Sequence, residues 1–76
     1  MLITDFTGTY DYEKAEALHS ADYILEDLRE GLITAEELPA KIERERAHWS
    51  RMLRDPQSFA DFDRHFHEAL RAGGAL

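Results

Sequence analysis

Apolar residues recur every three or four positions in three segments of the chain, and each segment predicts an amphipathic helix. The first predicted helix covers 12–30. Its apolar stripe consists of Ala17, Leu18, Ala21, Ile24, Leu25, Leu28 and Leu32. Asp11 is placed to cap the first turn, and Gly31 can take the left-handed conformation that ends a helix.

The second predicted helix covers 35–54. Thr34 and Glu37 have the spacing of a capping box, in which each side chain bonds the backbone N–H of the other residue. Pro39 lies one turn further on and lacks a backbone donor. Either the helix is kinked there, or a single turn at 35–38 precedes a new helix that begins at Pro39.

The apolar side of this second helix has a gap. Its apolar residues are Ile42, Trp49, Met52 and Leu53. Glu45 and Arg46 occupy the turn where another apolar residue is expected. Either Arg46 reaches back to the acids of the first helix, or this turn lies at the edge of the fold and is open to a partner.

The third predicted helix covers 56–72. Asp55 is a cap, Pro56 suits the first helical position, and Gly73-Gly74 ends the helix. Its apolar positions are Phe59, Phe62, Phe66, Ala69 and Leu70. We expect these aromatic side chains and Trp49 to pack the second helix against the third.

These elements predict an all-α fold, a three-helix bundle in a single domain over 1–76. The connections between helices are only a few residues long, so consecutive helices should be antiparallel neighbours. The stretch 1–10 is rich in β-branched and aromatic residues and contains Gly8. It predicts an extended arm or one short strand.

Charge is distributed unevenly along the chain. The net charge is −7 with neutral histidines. The stretch 1–40 holds ten Asp and Glu against two Lys and Arg, whereas 41–55 is net positive because of Lys41, Arg44, Arg46, Arg51 and Arg54. An acidic field repels nucleic acid and anionic lipid and attracts proteins with basic surfaces, so we expect neither nucleic acid nor membrane as a direct partner.

Composition excludes several kinds of chemistry. The chain has no cysteine, so it has no disulfide, thiolate zinc finger or cysteine nucleophile. It contains no serine-hydrolase elbow, phosphate-binding glycine loop or EF-hand loop. No apolar run approaches the ~20 residues that span a membrane, and no signal segment opens the chain. We expect a cytoplasmic protein that is not an enzyme and holds no cofactor.

Histidines are the best metal or catalytic candidates. His65 and His67 are two positions apart, so they point in different directions from one helix and cannot grip one ion together. Asp61 with His65 and Asp63 with His67 have the spacing of four that brings side chains together. We interpret both pairs as surface contacts, with zinc half-sites as the alternative.

The acidic residues of the first helix are the largest feature that the fold does not require. We call Glu16, Asp22, Tyr23, Glu26, Asp27 and Glu30 the acidic face. Its carboxylates can bind the Lys and Arg of a partner, with Tyr23 as an anchor, or they can simply aid solubility. A homo-oligomer, such as a homodimer, in which the acidic half of one chain meets the basic helix of another is the structural alternative.

In size, acidity, lack of cysteine and helical build, the chain resembles the small inhibitors encoded by phages and mobile elements, including anti-CRISPR proteins. The resemblance rests on the acids of 11–30 together with Glu36 and Glu37. It implies an inhibitor or regulator that occupies the basic, nucleic-acid-binding surface of a protein complex. An antitoxin or adaptor module is the alternative.

Overall fold

The computed structural model describes residues 11–76, which form three helices and no strand. The predicted all-α three-helix bundle is confirmed. The prediction of an extended arm at 1–10 lies outside the described residues. None of the helices in 11–76 has the length and apolar character needed to cross a membrane.

The first helix, α1, covers Tyr12–Arg29 and ends one residue before the predicted boundary. The backbone N–H of Lys14 donates to Asp11 Oδ1 at 3.0 Å, so the predicted cap is present. Gly31 has φ +78°, a conformation that glycine adopts without strain. The N–H of Leu32 then bonds the carbonyl of Asp27 at 2.8 Å and closes the end of the helix.

The second helix, α2, covers Leu38–Met52 and is shorter at both ends than the predicted 35–54. The capping box exists, with Thr34 N–H to Glu37 Oε1 at 2.8 Å and Glu37 N–H to Thr34 Oγ1 at 3.2 Å. It closes a separate turn before α2, and Pro39 lies in the first turn, where its missing N–H costs nothing. The second alternative, a single turn followed by a new helix, is therefore correct, although the helix begins at Leu38, one residue earlier than predicted.

The third helix, α3, covers Pro56–Ala72, as predicted. The N–H of Ser58 donates to Asp55 Oδ2 at 3.1 Å, which confirms the cap. At the other end, Gly74 has φ +86°. Gly73 lies against Leu25 of α1, and a Cβ at this position would require the Leu25 side chain to shift.

The main packing interface joins α1 and α3, which are not consecutive, and α2 contacts each of them only sparsely. The sequence predicted consecutive helices as neighbours, and the helices that pack most extensively are instead the first and the third. In the described part of the chain, 11–76, the fully buried side chains all come from α1 and α3: Ala17, Ala21, Ile24, Phe62, Phe66 and Leu70. The two small alanines let the α3 phenylalanines approach α1 closely, and no equivalent apolar row exists on α2.

The aromatic cluster confirms part of the predicted core. Phe62 stacks on Phe66 at 5.4 Å between ring centroids and on Trp49 at 5.2 Å. Only Trp49 comes from α2, so the phenylalanines pack mainly against α1 and not against α2. The prediction that Leu18 and Leu32 belong to the apolar stripe facing the core is wrong. Leu18 is 43% exposed, and Leu32, which lies beyond the end of the helix, is 68% exposed.

Candidate protein-docking surface

The acidic face lies along one side of α1 and its C-terminal cap. Asp22, Glu26 and Glu30 follow one another at intervals of four and form one row, since residues four apart are neighbours on a helix. All three are exposed, as is Tyr23. Glu16 and Asp27 are half-buried and lie with Tyr23 in a second row, on the side that faces α2. The structure therefore places all six predicted residues on one continuous surface.

The carboxylates of the acidic face form no salt bridge within residues 11–76. The ion pairs found there join groups on α2 and α3. They are Arg46–Glu43, Arg46–Asp63, Arg64–Asp61, His65–Glu68 and His67–Asp63. The basic residues of α2 therefore leave the charge of the acidic face unneutralised by direct pairing.

The interpretation that Arg46 reaches the acids of α1 is wrong. Its Nε and Nη2 donate to the two carboxylate oxygens of Asp63 on α3, at 2.8 and 3.1 Å, and its Nη1 donates to Glu43 at 2.8 Å. The hydrogen bonds that it donates to Asp63, and next to Glu43, raise the pKa of the Arg46 guanidinium above its ordinary value. The gap in the apolar stripe of α2 is thus filled by a charged contact to α3.

Tyr23 is exposed over 57% of its surface, so its ring is not part of the core. The ammonium of Lys41 on α2 lies 5.6 Å from the centre of its ring, within the range of a cation–π contact. The sequence analysis missed Lys41 as a neighbour of the acidic face. The helical periodicity of α2 does not predict which residues of α1 its side chains contact.

Tyr12 is a second residue that the sequence analysis missed. It is 43% exposed and lies eleven residues before Tyr23, which is about three helical turns. The two tyrosines therefore share one side of α1, with Glu16 between them. This spacing of eleven was readable in the sequence. Tyrosine beside charged groups is enriched in protein interfaces.

The acids at the end of α1 oppose the helix dipole. Glu26 and Asp27 lie in its last turn and Glu30 is its C-cap, where the backbone carbonyls carry partial negative charge. Arg29 is the one basic residue of that turn. Helix stability alone therefore does not explain why three carboxylates stand there.

We expect Glu30→Lys to raise the free energy of unfolding by about 0.3–1 kcal/mol at low salt, because a cation suits a helix C-terminus. Thermal and chemical unfolding followed by circular dichroism measure the change. Glu36→Lys is the control, since it makes the same change of charge just before the N-terminus of α2, where a cation is not favoured. An equal rise in both variants would attribute the effect to net charge and contradict the dipole explanation.

The histidines do not form a metal site within the described residues. His67 Nδ1 lies 3.2 Å from Asp63 Oδ1, as the spacing predicted. The other predicted pair is wrong, because His65 contacts Glu68 at 3.5 Å while Asp61 contacts Gln57 and Arg64. No group of three or more His, Asp or Glu side chains in 11–76 is arranged to hold an ion.

Tyr12 and the acidic face together present two exposed tyrosines and a row of carboxylates that form no salt bridge within residues 11–76. Comparison with family models, with curated proteins and with solved structures found no significant match to this chain.

Proposed function

We propose that the chain is a non-enzymatic acidic binding protein that inhibits or regulates a nucleic-acid-binding protein complex by occupying its basic surface. One observation carries the proposal: within residues 11–76 the carboxylates of the acidic face have no ion-pair partner, although basic residues lie on the neighbouring helix. Unpaired carboxylates on a helix of 18 residues remain free to attract the Lys and Arg of a partner.

The charge density of the acidic face supports competition with a nucleic-acid strand. From Glu16 to Glu30 its five carboxylates extend over about 21 Å of helix, or one charge per about 5 Å. A single strand of B-form DNA carries one phosphate per about 3.4 Å, and the duplex one per about 1.7 Å. The acidic face is therefore closer to a single strand than to a duplex, and a partner groove that binds a single strand is the better fit.

The exposed tyrosines of α1 can supply binding affinity, which charged groups alone provide only weakly. Charged groups in an interface raise the association rate and the specificity more than the affinity, because each must give up water. Large aromatic side chains more often provide the affinity. Tyr12 and Tyr23 flank the half-buried Glu16 and can contact the apolar stems of the partner's Lys and Arg.

Charge reversal at one end of the acidic face tests the proposal. The double variant Glu26→Lys/Glu30→Lys and the control Glu36→Lys/Glu68→Lys both change the net charge from −7 to −3, because each substitution adds two units. Each is used in affinity capture with mass spectrometry at low and high salt. We expect the wild type and the control to retain a partner that the first variant loses, with binding that weakens as salt increases.

The captured protein must also respond to nucleic acid. We expect single-stranded nucleic acid to displace the chain from its partner, and the chain to inhibit nucleic-acid binding by that partner. Equal capture by the two double variants, or a partner that binds nucleic acid and the chain at the same time without competition, contradicts the proposal.

A second candidate function is a homo-oligomeric helical module. Arg44, Arg51 and Arg54 are exposed near and along α2 and form no ion pair within 11–76, so the molecule carries a basic surface that complements its acidic face. Light scattering across a salt series distinguishes the two functions. A particle that remains monomeric at high concentration and low salt removes this candidate.

A further inference from the structure

Burial is shared unequally among the three helices. Six side chains of α1 and α3 are fully buried, whereas the most buried side chains of α2 are Leu38, 8% exposed, and Ile42, 6% exposed. Trp49 and Leu53 at the other end of α2 are only partly buried. The fully buried part of the core is therefore contributed by α1 and α3, and α2 covers one side of it with less deeply buried side chains.

A largely apolar groove, open to solvent, borders the first half of α2. The groove has a volume of about 470 Å³ and is lined by Leu38 and Ile42 of α2 and by Ala75 and Leu76 after α3. Protein interiors are normally packed at the density of organic crystals. The two most buried side chains of α2 thus border open space.

Specific contacts in the second half of α2 hold the helix in place. Arg46 forms two hydrogen bonds with Asp63 of α3. The Nε1–H of Trp49 donates to Ser20 Oγ of α1 at 3.2 Å, and its ring stacks on Phe62. Polar contacts at a partly exposed site can be replaced by water at a small net cost, in contrast to buried apolar area.

The segments on either side of α2 suit a movement of the whole helix. Before it, Gly31 has φ +78° and the turn at 34–37 is exposed. After it, Leu53 and Asp55 have extended backbone conformations and connect α2 to α3 without helical structure. Rotation about these residues does not require any turn of α1 or α3 to unfold.

We propose that α2 is a lid, which opens as a unit from the α1–α3 pair while α1 and α3 remain packed. Opening exposes the apolar side of the pair around Phe62 and Ser20. It also carries Lys41 away from Tyr23, and so removes a cation from the border of the acidic face. The lid does not depend on the proposed function, because its evidence is the packing of α2 and not the charge of α1.

Amide hydrogen exchange on the full chain, resolved by NMR and corrected for intrinsic rates, tests the proposal. Central amides of α2, over 43–47, are compared with those at 21–24 in α1 and 62–66 in α3. We expect the α2 amides to exchange at least about tenfold faster, as for a segment that opens below the global unfolding free energy. Equal rates in the three helices indicate a single cooperative unit and overturn the proposal.

A matched pair of variants separates the lid from general destabilisation. Arg46→Met removes the charged contact to α3. We expect the amides of α2 to exchange about tenfold faster in this variant than in the wild type. Arg64→Met is the control, because Arg64 contacts Asp61 on its own helix, at 3.6 Å. Acceleration of exchange by Arg46→Met to the same extent in all three helices also overturns the proposal.

Discussion

Phe62→Ala is expected to lower the free energy of unfolding by about 3–5 kcal/mol, the range for removal of a buried aromatic ring. Phe62 is fully buried and stacks on Trp49, Phe59 and Phe66, so its loss leaves a cavity at the meeting point of all three helices. A chain of this length has a total stability of about 4–11 kcal/mol. The variant should therefore be largely unfolded in mild denaturant in which the wild type remains folded.

Urea unfolding followed by circular dichroism measures this loss. Met52→Ala is the control, because Met52 is 60% exposed and its truncation should change the stability by less than about 0.5 kcal/mol. Phe62→Leu should lose less than the alanine variant, since leucine fills part of the space. If Phe62→Ala and Met52→Ala unfold at the same urea concentration, the assignment of Phe62 to the centre of the core is wrong.

Trp49→Ala is expected to have the second-largest effect, a loss of about 2–3 kcal/mol in the free energy of unfolding, which is below the range of about 3–5 kcal/mol for fully buried aromatic residues because the ring is only partly buried. Trp49 contacts both other helices, through its stack on Phe62 and its hydrogen bond to Ser20. It is the main apolar contact in the second half of α2.

The conservative variant Trp49→Phe isolates the hydrogen bond. It keeps an aromatic ring but leaves Ser20, which is only 5% exposed, without its donor, and we expect a loss of about 0.5–1.5 kcal/mol. The double variant Trp49→Phe/Ser20→Ala removes both partners and should recover part of that loss. Equal stability of Trp49→Phe and the wild type in urea unfolding would show that the bond to Ser20 contributes nothing.

The carboxylates of the acidic face lower the intrinsic stability of α1 as a helix. Glu26, Asp27 and Glu30 oppose the helix dipole, while the apolar contacts of α1 with α3 keep the helix formed. Tertiary packing thus allows an unfavourable charge pattern that an isolated helix of this length would not support. A surface of this kind is expected where residues serve binding more than stability.

Helix boundaries could be predicted from the sequence because their causes are local. Asp11 and Asp55 each cap a helix through a backbone N–H three residues later, and the capping box of Thr34 and Glu37 forms as its spacing predicts. The start of α2 was misplaced because a capping box also fits a single isolated turn. The helix itself begins at Leu38, with Pro39 in its first turn.

The neighbours of each side chain could not be predicted in the same way. Arg46 was expected near the acids of α1 and bonds Asp63 of α3. The apolar pattern of the sequence did not indicate that Ser20 is buried. In the structure it is buried and accepts a hydrogen bond from Trp49. Such contacts depend on how far each helix is rotated and shifted against the others, and the period of a single helix does not contain that information.

The sequence by itself determined three amphipathic helices, their caps and the concentration of carboxylates on the first of them, because each of these follows from residues within a few positions of one another. The tertiary structure alone decided that α1 packs chiefly on α3, that Arg46 faces α3, and that the carboxylates of the acidic face therefore form no salt bridge within residues 11–76. Small residues on α1 pack against large aromatic residues on α3, and burial of that side of α1 turns its opposite, carboxylate-rich side outward.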